Sequence, residues 1–265
     1  MRRLAFGLGV LALFAANPVW AQAPAAPARI MHPWQAPMPA GNAEAYFTNL
    51  KSGDSIETPF VLKFGLSGGW GLAPISKPIG GKSGHHHLLV NRDLPLNFKA
   101  ALPFNEQYIH FGKGQMETVL NLSPGTYTLR MLLADDKHLP HFVYSKPLKV
   151  TITKKNAVDP KSLVKPGLAV MLAGEEQKAP FRVQFHASGL NVAHVAQKEK
   201  DTGHFKLTIT SKSGAVAEMD FVDGQTETWL APPPGDYALK LDFVDNLNPK
   251  QFLTGPATAT VKVLP

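Results

Sequence analysis

The sequence predicts an all-β protein: two tandem small antiparallel β-sandwich domains, immunoglobulin-like in architecture, behind a signal peptide and a Pro/Ala-rich linker. Three observations carry this expectation. Apolar residues alternate with period two over many short stretches, as they do on strands. The 265 residues include 22 Gly and 23 Pro, which suit short strands joined by turns better than long helices. The second half of the chain repeats the first.

The N-terminus reads as a processing signal. Arg2 and Arg3 precede an apolar run from Leu4 to Ala16, too short to span a bilayer comfortably, and Val19-Trp20-Ala21 offers small residues before a cut. Residues 1–21 are therefore expected to be a signal peptide, and the mature protein to be periplasmic or secreted, with no transmembrane segment. Residues 22–42, rich in Ala and Pro, read as a linker or loose arm.

The repeat fixes the domains. At an offset of 110, Phe111, Gly114, Gln115, Glu117, Thr118, Leu120, Pro124, Gly125, Tyr127, Leu129, Asp135 and Phe142 recur as identical residues, 12 of the 34 positions from His110 to Val143. Chance would give roughly two or three. Upstream, Phe60 to Gly68 matches Phe181 to Gly189 at an offset of 121, and Gly84-His85 matches Gly203-His204 at 119. The drift places length differences in loops. The domains are expected at 43–153 and 165–265, joined by a linker at 154–164. Within them, Phe60, Leu62, Phe64 and Leu66 alternate with other residues, as do Tyr127, Leu129, Met131 and Leu133. Pro124-Gly125 and Pro234-Gly235 mark turns in which the glycines supply a positive φ.

Composition removes several functional classes. There is no cysteine, hence no disulfide scaffold, thiolate metal site or Cys nucleophile. The net charge of +7 falls to +5 once Arg2 and Arg3 are removed, and the remaining basic residues are scattered. Nucleic acid is thus not an expected partner. There is no HExxH and no GxSxG, so the sequence reads more readily as a binding protein than as an enzyme.

Histidine carries the chemistry. Six of the ten fall in the first repeat: His85, His86, His87, His110, His138 and His141. A strand through 85–87 puts His85 and His87 on one face about 7 Å apart at Cα, close enough for both rings to reach one ion, and His86 on the core face. His86 is expected to donate to a backbone carbonyl. His138 and His141 flank Pro140 in a loop that turns both rings the same way. The candidate metal ligands are His85, His87, His110, Asp135, His138 and His141, and neutral imidazole suits copper or zinc. His87, His110, His138 and His141 are replaced in the second repeat by Lys206, Asp220, Asn248 and Gln251. Gln115 and Glu117 persist in both copies and are expected to satisfy turn backbone. His186 and His194 have no evident partner, and His32 lies in the linker.

Several segments of the first repeat carry a resemblance. Ala45-Tyr-Phe-Thr-Asn-Leu-Lys-Ser-Gly-Asp, Gly84-His-His-His-Leu-Leu-Val, Phe111-Gly-Lys-Gly-Gln-Met-Glu-Thr, Leu122-Ser-Pro-Gly-Thr-Tyr-Thr-Leu and Ala134-Asp-Asp-Lys-His-Leu-Pro-His resemble a bacterial family, the domain of unknown function 4399. The resemblance implies an exported protein with a His-rich signature, and no particular activity.

Two functions follow as expectations. In one, the first domain binds a divalent transition metal, copper or zinc, with affinity lost below about pH 6 as imidazole protonates. In the other, the protein is a non-catalytic cell-envelope module that binds an envelope protein or polymer, and the histidines form a structural hydrogen-bond network.

Overall fold

Alternation along Phe60–Leu66 buries Leu62, Phe64 and Leu66 on one side. This strand pairs antiparallel with Ala45–Phe47 and Glu117–Leu120 in a three-stranded sheet. The computed structural model describes residues 31–95 and 97–265, so the expected signal peptide and the first part of the linker lie outside the described residues. The first repeat also contains a seven-stranded sheet, with Ser83–Val90 and Gly125–Ala134 at its centre. Leu62 and Phe64 from the small sheet and Leu88, Phe111, Leu129 and Met131 from the large one share a core.

The second repeat rebuilds the sandwich. A four-stranded sheet contains Phe181–Ser188 and Glu227–Leu230, and a six-stranded sheet contains Thr202–Ser211 and Gly235–Asp245. The sheets are antiparallel as expected except at their edges. Gly71–Leu72 runs parallel to Ser83–Val90, and Ser55–Thr58 parallel to Leu148–Lys155; the second repeat copies both pairings. Each parallel edge strand enters from a connection that crosses between sheets, a geometry two-residue hairpins cannot make. Among the described residues no helix is long and apolar enough to cross a membrane.

The repeats are fused rather than strung together: residues from His32 to Pro265 form one unit. Leu66, Leu72, Met116, Leu133 and Val143 of the first repeat lie in the same buried cluster as Phe185, Phe205 and Phe243 of the second. The junction is pseudo-twofold. Val192 N–H donates to Gly114 O at 2.9 Å, and Leu72 N–H donates to Gly224 O at 2.8 Å. Gly189 N–H donates to Glu117 Oε1 at 3.0 Å, and Gly68 N–H to Glu227 Oε1 at 3.1 Å. Each contact and its repeat-related counterpart are exchanged, as in an isologous dimer interface. Gly114 and Gly224 are required here. Their φ values are +90 and +75, and a Cβ would stand 2.0 Å from Val192 O or 2.3 Å from Leu72 O.

The Pro/Ala-rich segment is not loose throughout. Gln35–Ala36 pairs with Leu230 and Trp229, and the Trp34 ring stands 5.5 Å from Tyr237. Burial of Trp34 against the second repeat holds the arm down.

Candidate metal centre

His85 and His87 lie on Ser83–Val90, and His87 pairs with His110 of Tyr108–Phe111 across the ladder. Period two sends both strand histidines to the face away from the main core, as the sequence predicts. They are nevertheless 0% and 1% exposed. The cover comes from residues 91–95 and 97–107. Leu94, Phe98 and Leu102 pack on Leu89, Leu132 and Ala134 of the large sheet.

His138 arrives from the turn between Gly125–Ala134 and Pro140–Tyr144. Its backbone is left-handed, φ +61, uncommon for a residue with a side chain. Asp135 imposes that turn. Its Oδ1 accepts from Lys137 N–H at 2.9 Å and Leu139 N–H at 2.8 Å, while its carbonyl accepts from His138 N–H at 3.0 Å. Leu102 N–H donates to His138 O at 2.9 Å, tying the covering segment to the turn.

The result is a cluster of four imidazoles. One nitrogen from each of His85, His87, His110 and His138 lies within 4.8 Å of the others. Nε2 of His85 and of His87 are 2.8 Å apart, so one ring donates to the other. His85 Nδ1, His87 Nδ1, His110 Nδ1 and His138 Nε2 are buried without a hydrogen-bond partner. Burial, with His110 and His138 adding to it, holds His85 down at about 3. Burial and then His85 hold His87 down at about 2. Burial, with His138 next, lowers His110. The strand histidines are therefore neutral at physiological pH, with lone pairs available to a cation.

The other two candidates lie elsewhere. The Asp135 carboxylate is engaged by the turn. His141 is already on Pro140–Tyr144, because the hairpin closes with Pro140 opposite Ala134. Its ring packs 4.7 Å from Trp70 instead of turning with His138. Phe104, which the sequence reading passed over, covers the cluster from solvent. It is 64% exposed, and its ring lies 4.7 Å from His110 and 4.6 Å from His138.

Other expectations need correction. His86 is in the core, edge-to-face with Phe64 at 4.9 Å, but neither ring nitrogen has a hydrogen-bond partner; adjacent carbonyls are committed to the sheet ladder. Gln115 does serve its turn, accepting from Lys113 N–H at 2.9 Å. Glu117 instead crosses to the second repeat, where His186 Nε2 lies 3.1 Å from Oε2 and Ser188 Oγ donates to Oε2 at 2.9 Å. His194 also has a partner, Nε2 donating to Lys77 O at 2.8 Å.

A family profile described as a domain of unknown function, DUF4399, matches residues 62–153 and again 183–263. The chain belongs to this family. Two DUF4399 matches in register with the repeat establish the tandem duplication. No curated protein matches the chain. Solved structures similar to it include fibronectin(III)-like modules of Clostridium thermocellum CbhA, at 10% identity over 83% of this chain and 93% of that one, TM-score 0.25. A tetra-tandem repeat from the extending region of a large adhesion protein is 13% identical over 84% and 49%, TM-score 0.26. A two-domain fibronectin type III segment of chicken tenascin is 12% identical over 84% and 99%, TM-score 0.24.

The two DUF4399 copies part company at the cluster. Lys206 stands opposite Asp220 in the register that pairs His87 with His110. Lys206 Nζ is 3.0 Å from Glu218, and that bond raises its pKa. His204 Nδ1 and Asn246 Oδ1 are 2.7 Å apart. The second copy thus carries a fixed cation and paired polar atoms where the first gathers bare imidazole nitrogens.

Proposed function

We propose that this protein is an exported binding protein that holds one divalent transition metal ion, copper or zinc, in its first domain. The observation that carries this reading is the convergence of four imidazoles from two strands and a strained turn, with one nitrogen of each within 4.8 Å of the others. The donor set suits the ion. Imidazole favours copper and zinc, while calcium and magnesium take oxygen ligands.

The alternative, a structural hydrogen-bond network in an envelope interaction module, has one observation in its favour, the His85–His87 bond. A network would pair the remaining nitrogens, and it does not. The decisive measurement is metal content and titration of the untagged protein with Cu(II) and Zn(II), beside a His87→Ala/His138→Ala variant. One equivalent bound tightly and lost in the variant supports the metal reading. Binding no tighter than that of scattered surface histidines sinks it and turns attention to envelope proteins and polymers.

A further inference from the structure

The shape of the cluster says which coordination it accepts. The six separations between ring centres are 4.7 Å for His85–His87, 5.3 Å for His85–His110, 5.1 Å for His85–His138, 5.4 Å for His87–His110, 5.7 Å for His87–His138 and 5.0 Å for His110–His138. A metal–nitrogen bond is about 2.0–2.1 Å, and the centre of a coordinated imidazole lies about 1.2 Å beyond its nitrogen. Four such rings on a tetrahedron therefore have centres about 5.2 Å apart, every pair alike. In a square plane with the same bonds, four pairs would stand about 4.5 Å apart and two about 6.4 Å apart. All six observed separations lie within about 0.5 Å of the tetrahedral value, and none approaches the long diagonal of a square.

From this we infer that the site is a closed tetrahedral four-imidazole centre for Zn(II), rather than a tetragonal Cu(II) centre or a catalytic zinc. The inference rests on the metal-binding reading above and gives it a metal and a coordination number. Zn(II) has no geometric preference of its own and accepts a tetrahedron, whereas Cu(II) prefers a tetragonal arrangement. Four protein donors leave no position for water or substrate, the mark of a structural or storage centre as opposed to a hydrolytic one. Rigidity supports the assignment. His85 and His87 are fixed on a buried central strand, and His110 is paired directly opposite His87. The donor nitrogens lie within 4.8 Å of one another, against a tetrahedral nitrogen–nitrogen edge of about 3.3 Å: the Nε2 atoms of His85 and His87, 2.8 Å apart, open by about 0.5 Å and wider pairs draw in, shifts that side-chain rotation supplies. Among the described residues the second repeat, with Lys206 in place of His87, gathers no matching cluster, so the expected stoichiometry is one per chain.

Affinity alone does not test this, because copper outcompetes zinc at most nitrogen sites. Geometry does. The untagged full chain is loaded with Zn(II) and examined by X-ray absorption, and with Co(II) as an optical stand-in. The expected result is one equivalent of each metal, a zinc shell of four nitrogens at about 2.0 Å, and the intense visible bands of tetrahedral cobalt. His138→Ala, in the turn rather than on the buried strand, should lower Zn(II) affinity by about 100-fold or more and put oxygen in the zinc shell. A five- or six-coordinate zinc shell with weak cobalt bands overturns the closed tetrahedron while leaving metal binding intact. Failure to take up Zn(II), Co(II) or Cu(II) overturns both readings.

Discussion

The Asp135 carboxylate holds His138 in a left-handed conformation without joining the cluster: it accepts from the N–H groups on either side, Lys137 and Leu139. This arrangement aims the fourth imidazole at the other three. Asp135→Ala releases the turn and should weaken metal affinity by about 10–100-fold, the usual cost of losing an orienting group. Asp135→Asn keeps an oxygen acceptor at the same place and should retain most of the affinity. If the Asn variant lost metal as completely as Ala, Asp135 would be a ligand and the turn argument would be wrong.

Phe104 is the second positioning residue to test. Its ring shields His110 and His138 from water but is itself mostly exposed. Phe104→Ala should therefore cost fold stability no more than its two ring contacts are worth, about 1–3 kcal/mol. Loss of two edge contacts, each worth about 0.5–1.5 kcal/mol, should speed removal of metal by a chelator several-fold to about tenfold or more. Unchanged release kinetics, measured by stopped flow, would show that metal enters and leaves by another route.

How far the sequence revealed this site depends on what each residue needs as a partner. The strand face shared by His85 and His87 follows from period two alone, and comparison with Phe205 in the second copy places His86 in the core. Convergence with His138 lies beyond local pattern, because it depends on the hairpin closing at Pro140. The same closure removes His141, which a loop reading had grouped with His138. The burial of the outward histidines also escaped, although a trace was visible: the repeat offset falls from 119 at Gly84 to 110 at His110, so nine residues are inserted between them. That insertion becomes the cover only because Leu94, Phe98 and Leu102 find Leu89 and Leu132 on the sheet. Glu117 looked like a turn residue because its partners belong to the other repeat.

Acid should destabilise the metal-free protein in a defined window. Burial lowers His85 and His86 to about 3 and, with His85 beside it, His87 to about 2, from an unfolded value of 6.5. Between those limits the unfolded chain binds more protons than the folded one. Stability is therefore fully present above pH 6.5 and is lost as pH falls toward about 3, at about 1.4 kcal/mol per pH unit for each group. His86→Phe, the residue found at the matching position of the second repeat, should flatten this slope by about one group's share. Denaturant unfolding at pH 6.5, 5.5 and 4.5 measures it; parallel slopes for parent and variant would refute the assignment. The same depressed values carry metal binding further into acid than the pH 6 limit of ordinary imidazole, provided the fold survives.

Glu117 should decide whether the two repeats unfold together. Burial pushes its carboxyl up, but hydrogen bonds from His186, Ser188 and Gly189 outweigh this and hold it below 4.5. Its contribution is therefore present above pH 4.5 and lost as pH falls further. Every one of those donors belongs to the second repeat, so the carboxylate acts as a bolt across the junction, beside the exchanged bonds at Gly114 and Gly224. Glu117→Ala leaves three donors unpaired, of which His186 is buried, and should cost about 1–3 kcal/mol at pH 7. Glu117→Gln keeps one oxygen for Gly189 and should cost less. Because the repeats share one apolar cluster, the parent protein should unfold in a single transition, and Glu117→Ala should broaden or split it. A loss under about 1 kcal/mol with an unchanged single transition would mean that apolar contact alone fuses the repeats.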